Sequence, residues 1–192
     1  MGTNKYGILA SMEEMDDKVL VQKTLNDPES FRYIIDRYRA KLFRYIGHIG
    51  IRDHAQQEDV LQEVFIKVYR NLNGYNDDFP FSSWIYRIAH NEAMNFFRRR
   101  KISPLSLESF PFLDFIGEEK TYDEKLLDDE QIKNALNQLD QRYKEVIILK
   151  YFEEKSYEEI ADILEKPPGT IATLLSRAKQ KLKIQLEELL HE

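Results

Sequence analysis

The sequence FSSWIYRIAHNEAMNFFRRRK, residues Phe81–Lys101, predicts one long helix. Its apolar residues recur at steps of three and four and indicate a buried stripe: Trp84, Ile85, Ile88, Ala89 and Phe96. We expect the hydroxyls of Ser82 and Ser83 to cap its start by accepting from free backbone N–H groups. The residues between the stripe positions are expected on the other faces: Tyr86, Arg87, His90, Asn91 and Met94.

The chemistry of this helix has two interpretations. It ends in four consecutive cations, Arg98, Arg99, Arg100 and Lys101. Aromatic rings stack on unpaired bases at about 1–3 kcal/mol each, amides read base edges and cations hold phosphates, so the combination suits single-stranded nucleic acid. The alternative is an ordinary core helix whose basic C-terminus favours the helix dipole. Taken alone, these residues favour the second interpretation.

Composition limits the classes of protein that fit. The 192 residues allow one domain or two small ones, and few glycines and prolines favour helices. The net charge is −6, so nucleic-acid binding must depend on local basic patches or on a larger partner. The absence of cysteine excludes disulfides and thiolate metal sites. There is no apolar run of the ~20 residues that a membrane span needs and no secretory signal, so we expect a cytoplasmic protein with a disordered lead-in over residues 1–16.

The first half predicts four helices between Asp17 and Lys101. The first covers Asp17–Leu25, and the second runs from Pro28 to about Ile49. Asp53 opens the third, and Gln56 three residues later can complete a capping box. Its buried stripe is Val60, Leu61, Val64, Phe65, Val68 and Leu72. Its outward residues are Asp59, Gln62, Glu63, Lys67 and Arg70. The face formed by Asp59, Gln62 and Glu63 is either a docking surface for a basic partner or an ordinary solvated face. Turn residues at positions 73–80 lead into the fourth helix.

The second half begins with an irregular segment at residues 102–125. Prolines, serines and acidic residues predict an interdomain linker, and its apolar residues lie either against its own domain or in a partner's groove. Helices are then predicted for Leu126–Gln138 and from Asp140 to about Phe152. Ser156 and Glu159 form a capping box for a short helix, and Thr170 starts a long one after a tight break. This pair predicts a helix-turn-helix. The outward residues of its second helix are Thr170, Ala172, Thr173, Ser176, Arg177 and Gln180.

Three segments in order resemble bacterial sigma factors of the extracytoplasmic-function (ECF) group. They are DVLQEVFIKVYRNL at Asp59–Leu72, the helix at Phe81–Lys101, and YKEVIILKYFEEKSYEEIADILEKPPGTI at Tyr143–Ile171. The resemblance implies an all-α fold of two small helical domains joined by an irregular linker. It implies a sigma-2-like four-helix domain at 17–101, an acidic and aromatic linker at 102–125, and a sigma-4-like helix-turn-helix domain at 126–192.

The resemblance also implies a role for each segment. The residues that would bind the polymerase core are Asp59, Gln62, Glu63 and Phe65. The turn Gly74–Phe81 would melt the −10 element and hold a flipped base. The other residues that would bind the −10 DNA are Trp84, Arg87, Asn91, Arg98, Arg99, Arg100 and Lys101. The linker would run toward the RNA exit channel. The residues that would bind the −35 element are Thr170, Thr173, Ser176, Arg177, Lys179 and Lys181.

One stretch departs from the family pattern. Sigma factors usually carry basic residues just after the Gly-Thr-Val turn, but here Gly169-Thr170-Ile171 is followed by Ala172, Thr173 and Leu174. The loss of two phosphate contacts should weaken −35 binding and reduce its salt dependence. We therefore expect a fragment from Leu126 onward to bind promoter DNA poorly.

The resemblance implies a promoter-specificity subunit that binds RNA polymerase core, recognises the −35 and −10 promoter elements and melts DNA. It further implies no catalysis, cofactor, metal or small-molecule substrate. An anti-sigma factor, often membrane-tethered in this group, would hold the chain inactive. Two alternatives from other classes remain at this point. One is a stand-alone helix-turn-helix regulator, and the other is a helical protein-interaction module that does not touch DNA.

Overall fold

The fold is known from a computed structural model that describes residues 15–101, 135 and 138–190. Within these ranges the regular structure is helical, as predicted, and none of the helices is long and apolar enough to span a membrane. The α-helices are α1 (Asp17–Asn26), α2 (Phe31–Ile49), α3 (His54–Asn71), α4 (Phe81–Arg100), α5 (Gln141–Ile147), α6 (Tyr157–Leu164) and α7 (Pro168–Leu190). The predicted linker and most of the predicted helix Leu126–Gln138 lie outside the described residues.

Two of the three predicted helix caps are present. Ser156 and Glu159 form the complete capping box, with the Glu159 N–H 3.1 Å from the Ser156 hydroxyl and the Ser156 N–H 2.9 Å from the Glu159 carboxylate. Asp53 accepts from the Gln56 N–H at 2.9 Å, which is the first half of the predicted box at α3. Each bond satisfies a backbone donor that the first turn of a helix leaves free.

The predicted serine cap of α4 is wrong. The helix begins at Phe81, its N-cap is Pro80, and no side chain caps it. Ser83 is fully buried within the first turn, and the Ser82 hydroxyl donates to the Glu159 carboxylate at 3.0 Å. The sequence could not reveal this because the partner of Ser82 lies 77 residues away.

The core of the first domain lies among α2, α3 and α4. The predicted stripe of α3 is buried as expected, from Val60 to Leu72. An aromatic cluster closes one end of the domain, where the Phe81 ring packs edge-on against Tyr38 at 5.6 Å and Tyr75 at 5.2 Å. This cluster holds the turn before α4 in place, because large rings bury much apolar surface and fix the packing geometry.

The helix-turn-helix differs from the prediction at its second helix. That helix begins at Pro168, two residues before Thr170, because proline fits the first turn, where no backbone N–H is needed. The predicted helix from Asp140 is α-helical only to Ile147 and continues as a π-helical turn over Ile148–Phe152. The predicted apolar stripe of α7 is buried at Ile171, Leu175, Ala178, Leu182 and Leu186.

Helix α4 is buried on two sides, which the sequence did not predict. Tyr86 and His90 were expected away from the core, but they are 2% and 8% exposed. Both side chains contact Tyr45 of α2, and Tyr86 also donates to Glu153 of the second domain. Helix α6 of the second domain packs against α4 as well. The two predicted domains are therefore in direct contact through the helix predicted to bind DNA.

Candidate nucleic-acid and polymerase interface

The predicted docking residues of α3 divide into two groups. Asp59, Gln62 and Glu63 are exposed on one face of the helix. Phe65 is buried, and its ring lies edge-on to Phe31 with 6.4 Å between the centroids. A partner can therefore reach the three polar side chains directly, whereas Phe65 acts in this conformation by packing α3 against α2.

A cleft between α3 and α4 joins two sets of residues that the sequence analysis treated separately. Asp59, Gln62 and Glu63 line one side, and Arg99 and Arg100 at the end of α4 line the other. The Arg100 guanidinium lies over the Phe96 ring at 4.8 Å from its centroid, a cation–π arrangement. The acidic face of α3 and the basic end of α4 therefore form one surface.

The turn before α4 contains a buried and an exposed aromatic residue. Trp84 is only 9% exposed and packs against Tyr75 and Phe81, at 5.5 and 5.6 Å between ring centroids. Phe79 is 51% exposed, and its carbonyl accepts from the Tyr75 hydroxyl at 2.5 Å. Sequence reasoning did not single out Phe79, although an aromatic residue inside a polar turn was a usable signal. Trp84 supports the turn, and Phe79 presents a ring to solvent.

The polar residues of α4 have different surroundings. Arg87 is partly buried, and its guanidinium donates to the Asp162 carboxylate at 2.8 Å. Asn91 is exposed one turn further on. The basic end from Arg98 to Lys101 is exposed, and the left-handed φ of 54° at Lys101 ends the helix. Asn91 and the basic end are thus available to a nucleic acid, whereas Arg87 is already paired.

A buried carboxylate connects the two domains beside Arg87. The Glu153 side chain is fully buried and accepts from the Tyr86 hydroxyl at 2.7 Å. His48 Nδ1 lies 2.9 Å from the same carboxylate, and Arg44 lies 3.5 Å from it. Burial and the adjacent Glu153 charge raise the pKa of Tyr86, so Tyr86 remains a neutral donor. All three partners belong to the first domain, and Glu153 belongs to the second.

His90 lies on the same side of α4. Its Nδ1 is 3.2 Å from the Tyr45 hydroxyl, and burial, with a smaller effect of Lys166, lowers its pKa to about 4. Burial disfavours the charged imidazole because the interior solvates charge poorly. His90 is therefore neutral at physiological pH.

Helix α7 presents the predicted −35 residues to solvent. Its exposed residues include Thr170, Ala172, Thr173, Ser176, Arg177 and Gln180. Two predicted phosphate-binding lysines on this helix lie near tyrosine rings: Lys179 over Tyr151 and Lys181 over Tyr143, each at 5.8 Å. Ala172 and Leu174 stand where the family usually has basic residues. Ala172 is exposed, whereas Leu174 is half-buried against the core.

Comparison with known families places these two helical units in one class. The profile of Sigma-70 region 2 matches residues 34–102, and the profile of Sigma-70, region 4 matches residues 129–182. The two regions occur in the order that the residues above suggested. The chain is therefore a sigma subunit built from region 2 and region 4.

Individual relatives define the group within this class. The chain is 30% identical over 192 residues to the ECF RNA polymerase sigma factor SigW of Bacillus subtilis (strain 168), covering 93% of this chain and 100% of SigW. It is 29% identical to the RNA polymerase sigma-H factor of Pseudomonas aeruginosa, covering 94% and 98% of the two chains. It is 28% identical to the ECF RNA polymerase sigma-E factor of Escherichia coli (strain K12), covering 93% and 98%.

Solved structures agree with this fold. CnrH, solved in complex with the cytosolic domain of CnrY, superimposes with a TM-score of 0.66 at 21% identity, covering 90% of this chain and 97% of that one. The sigma factor RpoE, solved with the anti-sigma factor NepR from Bartonella quintana, gives 0.61 at 23% identity, covering 83% and 98%. The chain belongs to the ECF RNA polymerase sigma factors. Its function is that of a sigma subunit, which binds core polymerase and directs it to promoter DNA.

Proposed function

We propose that the chain performs its sigma function through three surfaces, two of which meet in one cleft. The observation that carries this proposal is the cleft where Asp59, Gln62 and Glu63 face Arg99 and Arg100. An acidic face attracts a basic protein partner, and an adjacent arginine pair attracts a phosphate backbone. A single cleft of this kind suits a region that holds polymerase and the DNA strand next to each other.

The docking surface is the exposed face of α3. Asp59 and Glu63 lie one helical turn apart, so both carboxylates point to the same side. Gln62 adds a neutral donor and acceptor between them. Phe65 supports this surface from below through its contact with Phe31. The binding partner of this face is the polymerase core.

The −10 surface consists of the turn before α4 and the exposed polar side of α4. Phe79 offers a ring for stacking on an unpaired base, and Trp84 holds the turn rigid from below. Asn91 can read a base edge, and the arginines at the end of α4 follow the strand backbone. Arg87 joins this surface when it is released from Asp162.

The −35 surface is the N-terminal half of α7. Thr170, Thr173 and Ser176 offer hydroxyls toward base edges, since the first residues of a recognition helix enter the major groove. Arg177, Lys179 and Lys181 contact phosphates, which position the helix without reading the sequence. The Thr173 hydroxyl donates to the Gly169 carbonyl at 2.8 Å and keeps its acceptor lone pairs free.

The remaining aspects of the proposal concern regulation and location. Sigma factors regulate transcription, and we expect this chain to catalyse no reaction of its own. RpoE and CnrH were solved with NepR and CnrY, and an anti-sigma factor is a fitting inhibitor for this chain too. Since its polymerase partner is cytoplasmic, we expect the chain to act in the cytoplasm.

In vitro transcription tests the proposal directly. Core polymerase is mixed with a promoter library, with and without the chain, and the start sites are sequenced. We expect a defined promoter set that depends on the chain. Asp59→Ala should lower the transcript yield when the chain is limiting, and an excess of the variant should restore that yield. The reason is that the change weakens docking and leaves promoter choice unaltered. A promoter set that changes with Asp59→Ala would contradict the assignment of α3 to docking.

A further inference from the structure

The start of α7 carries no charge. Residues 168–176 contain neither a cation nor a side-chain amide, and the first charged residue of the helix is Arg177. A recognition helix commonly reads guanine with Arg or Lys and adenine with Asn or Gln, because these long side chains reach the base edges. The base contacts of the first turns of α7 therefore depend on short side chains.

Thr173 lies at the centre of the exposed side of these turns. Ile171 and Leu175 are 0% and 2% exposed, and each is two positions from Thr173. Two positions correspond to about 200° around a helix, so Thr173 points away from the core. The Thr173 hydroxyl donates to the Gly169 carbonyl at 2.8 Å, so its proton is used within the helix. Toward a ligand Thr173 therefore offers its methyl group and the acceptor lone pairs of Oγ1.

Gly169 lies one turn before Thr173 on the same side of the helix. A Cβ added at Gly169 would meet no atom within 4 Å, and its φ is not in the left-handed region. Neither internal packing nor backbone conformation therefore requires glycine at this position. The missing side chain leaves bare backbone beside Thr173, and bare backbone allows a ligand to approach closely.

Two lysines flank this exposed side. Lys179 lies over the Tyr151 ring at 5.8 Å from its centroid. Lys181 lies over the Tyr143 ring at the same distance. The lysines are two positions apart, so they point to opposite sides of α7. This arrangement suits a helix with phosphates on both flanks and with Thr173 facing the base pairs between them.

The groups that base pairs show in the major groove decide which pair suits Thr173. Thymine is the base with a methyl group there, and its adenine partner presents the N6 amino donor. A G·C pair presents two guanine acceptors and no methyl group. Thr173 cannot donate to those acceptors without losing its bond to Gly169, whereas its methyl group and lone pairs match an A·T pair unchanged.

We propose that Thr173 is a specificity-determining residue of the −35 surface and selects an A·T pair by packing its methyl group against the thymine methyl. The inference rests on the proposed role of α7 in −35 binding and adds the base pair that one residue reads. Gly169 lets the helix come close enough for the two methyl groups to touch, at about 4 Å. The contact is apolar, so the preference for this pair persists at high salt while phosphate contacts weaken.

Deoxyuridine tests the contact, because its substitution for thymine removes one methyl group and keeps base pairing. A promoter library transcribed by core polymerase with the full-length chain first gives the preferred −35 sequence. Each −35 thymine, on either strand, is then replaced in turn. Competition binding of the holoenzyme should weaken about two- to fivefold at one position, the value of one buried methyl group, at low and at high salt.

The same replacement between the −35 and −10 elements is the control and should leave binding unchanged. Equal binding of thymine and deoxyuridine at every −35 position would overturn the inference.

Two substitutions at position 173 separate the methyl group from the hydroxyl. Thr173→Ser removes the methyl group and keeps a hydroxyl that can bond to Gly169, whereas Thr173→Val keeps a methyl group and removes the hydroxyl. We expect Thr173→Ser to bind thymine and deoxyuridine promoters equally, and Thr173→Val to retain the difference. The reverse result would overturn the inference. Circular dichroism verifies that both variants remain helical, as the exposure of Thr173 predicts.

Gly169→Ala separates the structural from the binding role of the glycine. Alanine should stabilise α7, because it loses less conformational freedom in a helix than glycine does. The added Cβ should nevertheless hold the helix away from the groove and bring the binding ratio of thymine to deoxyuridine promoters toward one. An unchanged ratio in this variant would contradict the close approach on which the Thr173 contact depends.

Failure of the proposed function gives a different result. If randomising the −35 element leaves promoter use by the holoenzyme unchanged, α7 does not read that element and the proposed −35 surface is wrong. If the element matters but thymine and deoxyuridine are equivalent throughout it, the inference about Thr173 alone is wrong.

Discussion

Arg87 of α4 donates a 2.8 Å hydrogen bond to Asp162 of α6, 75 positions later in the chain. A residue predicted to bind the −10 strand is thus paired with a carboxylate of the helix that precedes the −35 surface. Tyr86 and Glu153 repeat this relationship beside it, with 2.7 Å between the hydroxyl and the carboxylate. Helix α4, which we propose binds the −10 strand, is therefore already paired within the chain at Tyr86 and Arg87.

The exposed face of α3 gives a first prediction. The double substitution Asp59→Asn and Glu63→Gln should weaken core polymerase binding about three- to thirtyfold, because it removes two charges that steer a basic partner. Fluorescence titration of labelled chain with core measures this affinity. Asp36→Asn, an exposed carboxylate on α2, is the control and should bind like the parent. Equal affinities for both variants would show that α3 is not the docking helix.

The two aromatic residues of the turn should respond differently to truncation. Trp84→Ala is expected to lower the free energy of unfolding by about 3–5 kcal/mol, because it leaves a cavity beside Tyr75 and Phe81. Phe79→Ala should change stability by less than about 0.5 kcal/mol, since the ring is half exposed. Urea denaturation measures both values.

Promoter melting then distinguishes the two residues further. Phe79→Ala should reduce open-complex formation about tenfold, corresponding to the loss of one base stack of about 1–3 kcal/mol. Permanganate footprinting of the −10 region measures the unpaired thymines. If a folded Phe79→Ala protein melts the promoter as well as the parent does, the exposed ring has no role in base stacking.

The start of α7 gives a third prediction. Ala172→Lys should tighten binding to promoter duplex and make the log–log salt dependence steeper by about 0.9, the value for one added phosphate contact. Binding is measured at several salt concentrations with the holoenzyme. Leu174→Lys should not reproduce this gain. It should lower stability instead, because Leu174 is half-buried against the core.

His90 makes folding stability depend on pH in a defined window. Its pKa is about 4 in the folded chain and about 6.5 when unfolded, so between these values the unfolded chain binds a proton that the folded chain does not. The contribution is fully present above pH 6.5, on the order of 3 kcal/mol, and is lost progressively as the pH falls toward 4.

A pair of substitutions isolates this contribution. His90→Gln removes the titration and can retain a hydrogen bond to the Tyr45 hydroxyl, so its free energy of unfolding should fall less steeply than that of the parent between pH 6.5 and 4. His54→Gln is the control for the substitution itself, because His54 is exposed. Parallel curves for parent and His90→Gln would contradict burial of a neutral imidazole.

The sequence alone determined which segments of the described chain are helical, and it determined the family. Apolar spacing fixed which side of α3 is buried, and the Ser156 and Glu159 pair fixed the start of α6, because both signals act over one helical turn. The three segments that resemble sigma factors were also recognised from such local patterns and from their order along the chain. The exposed positions of Asp59 and Thr173 followed from them as well.

Only the tertiary structure decided what the polar residues contact. The sequence assigned Ser82 to a cap and Tyr86 to a free face, and both assignments failed because their partners come from another domain. The sequence also predicted that Arg87 binds DNA, and it did not indicate that Arg87 pairs with Asp162. Contacts between residues about 70 positions apart leave no periodic pattern in the sequence. They depend on how the two folded domains pack against each other, whereas helical periodicity reports only on neighbours within a few residues.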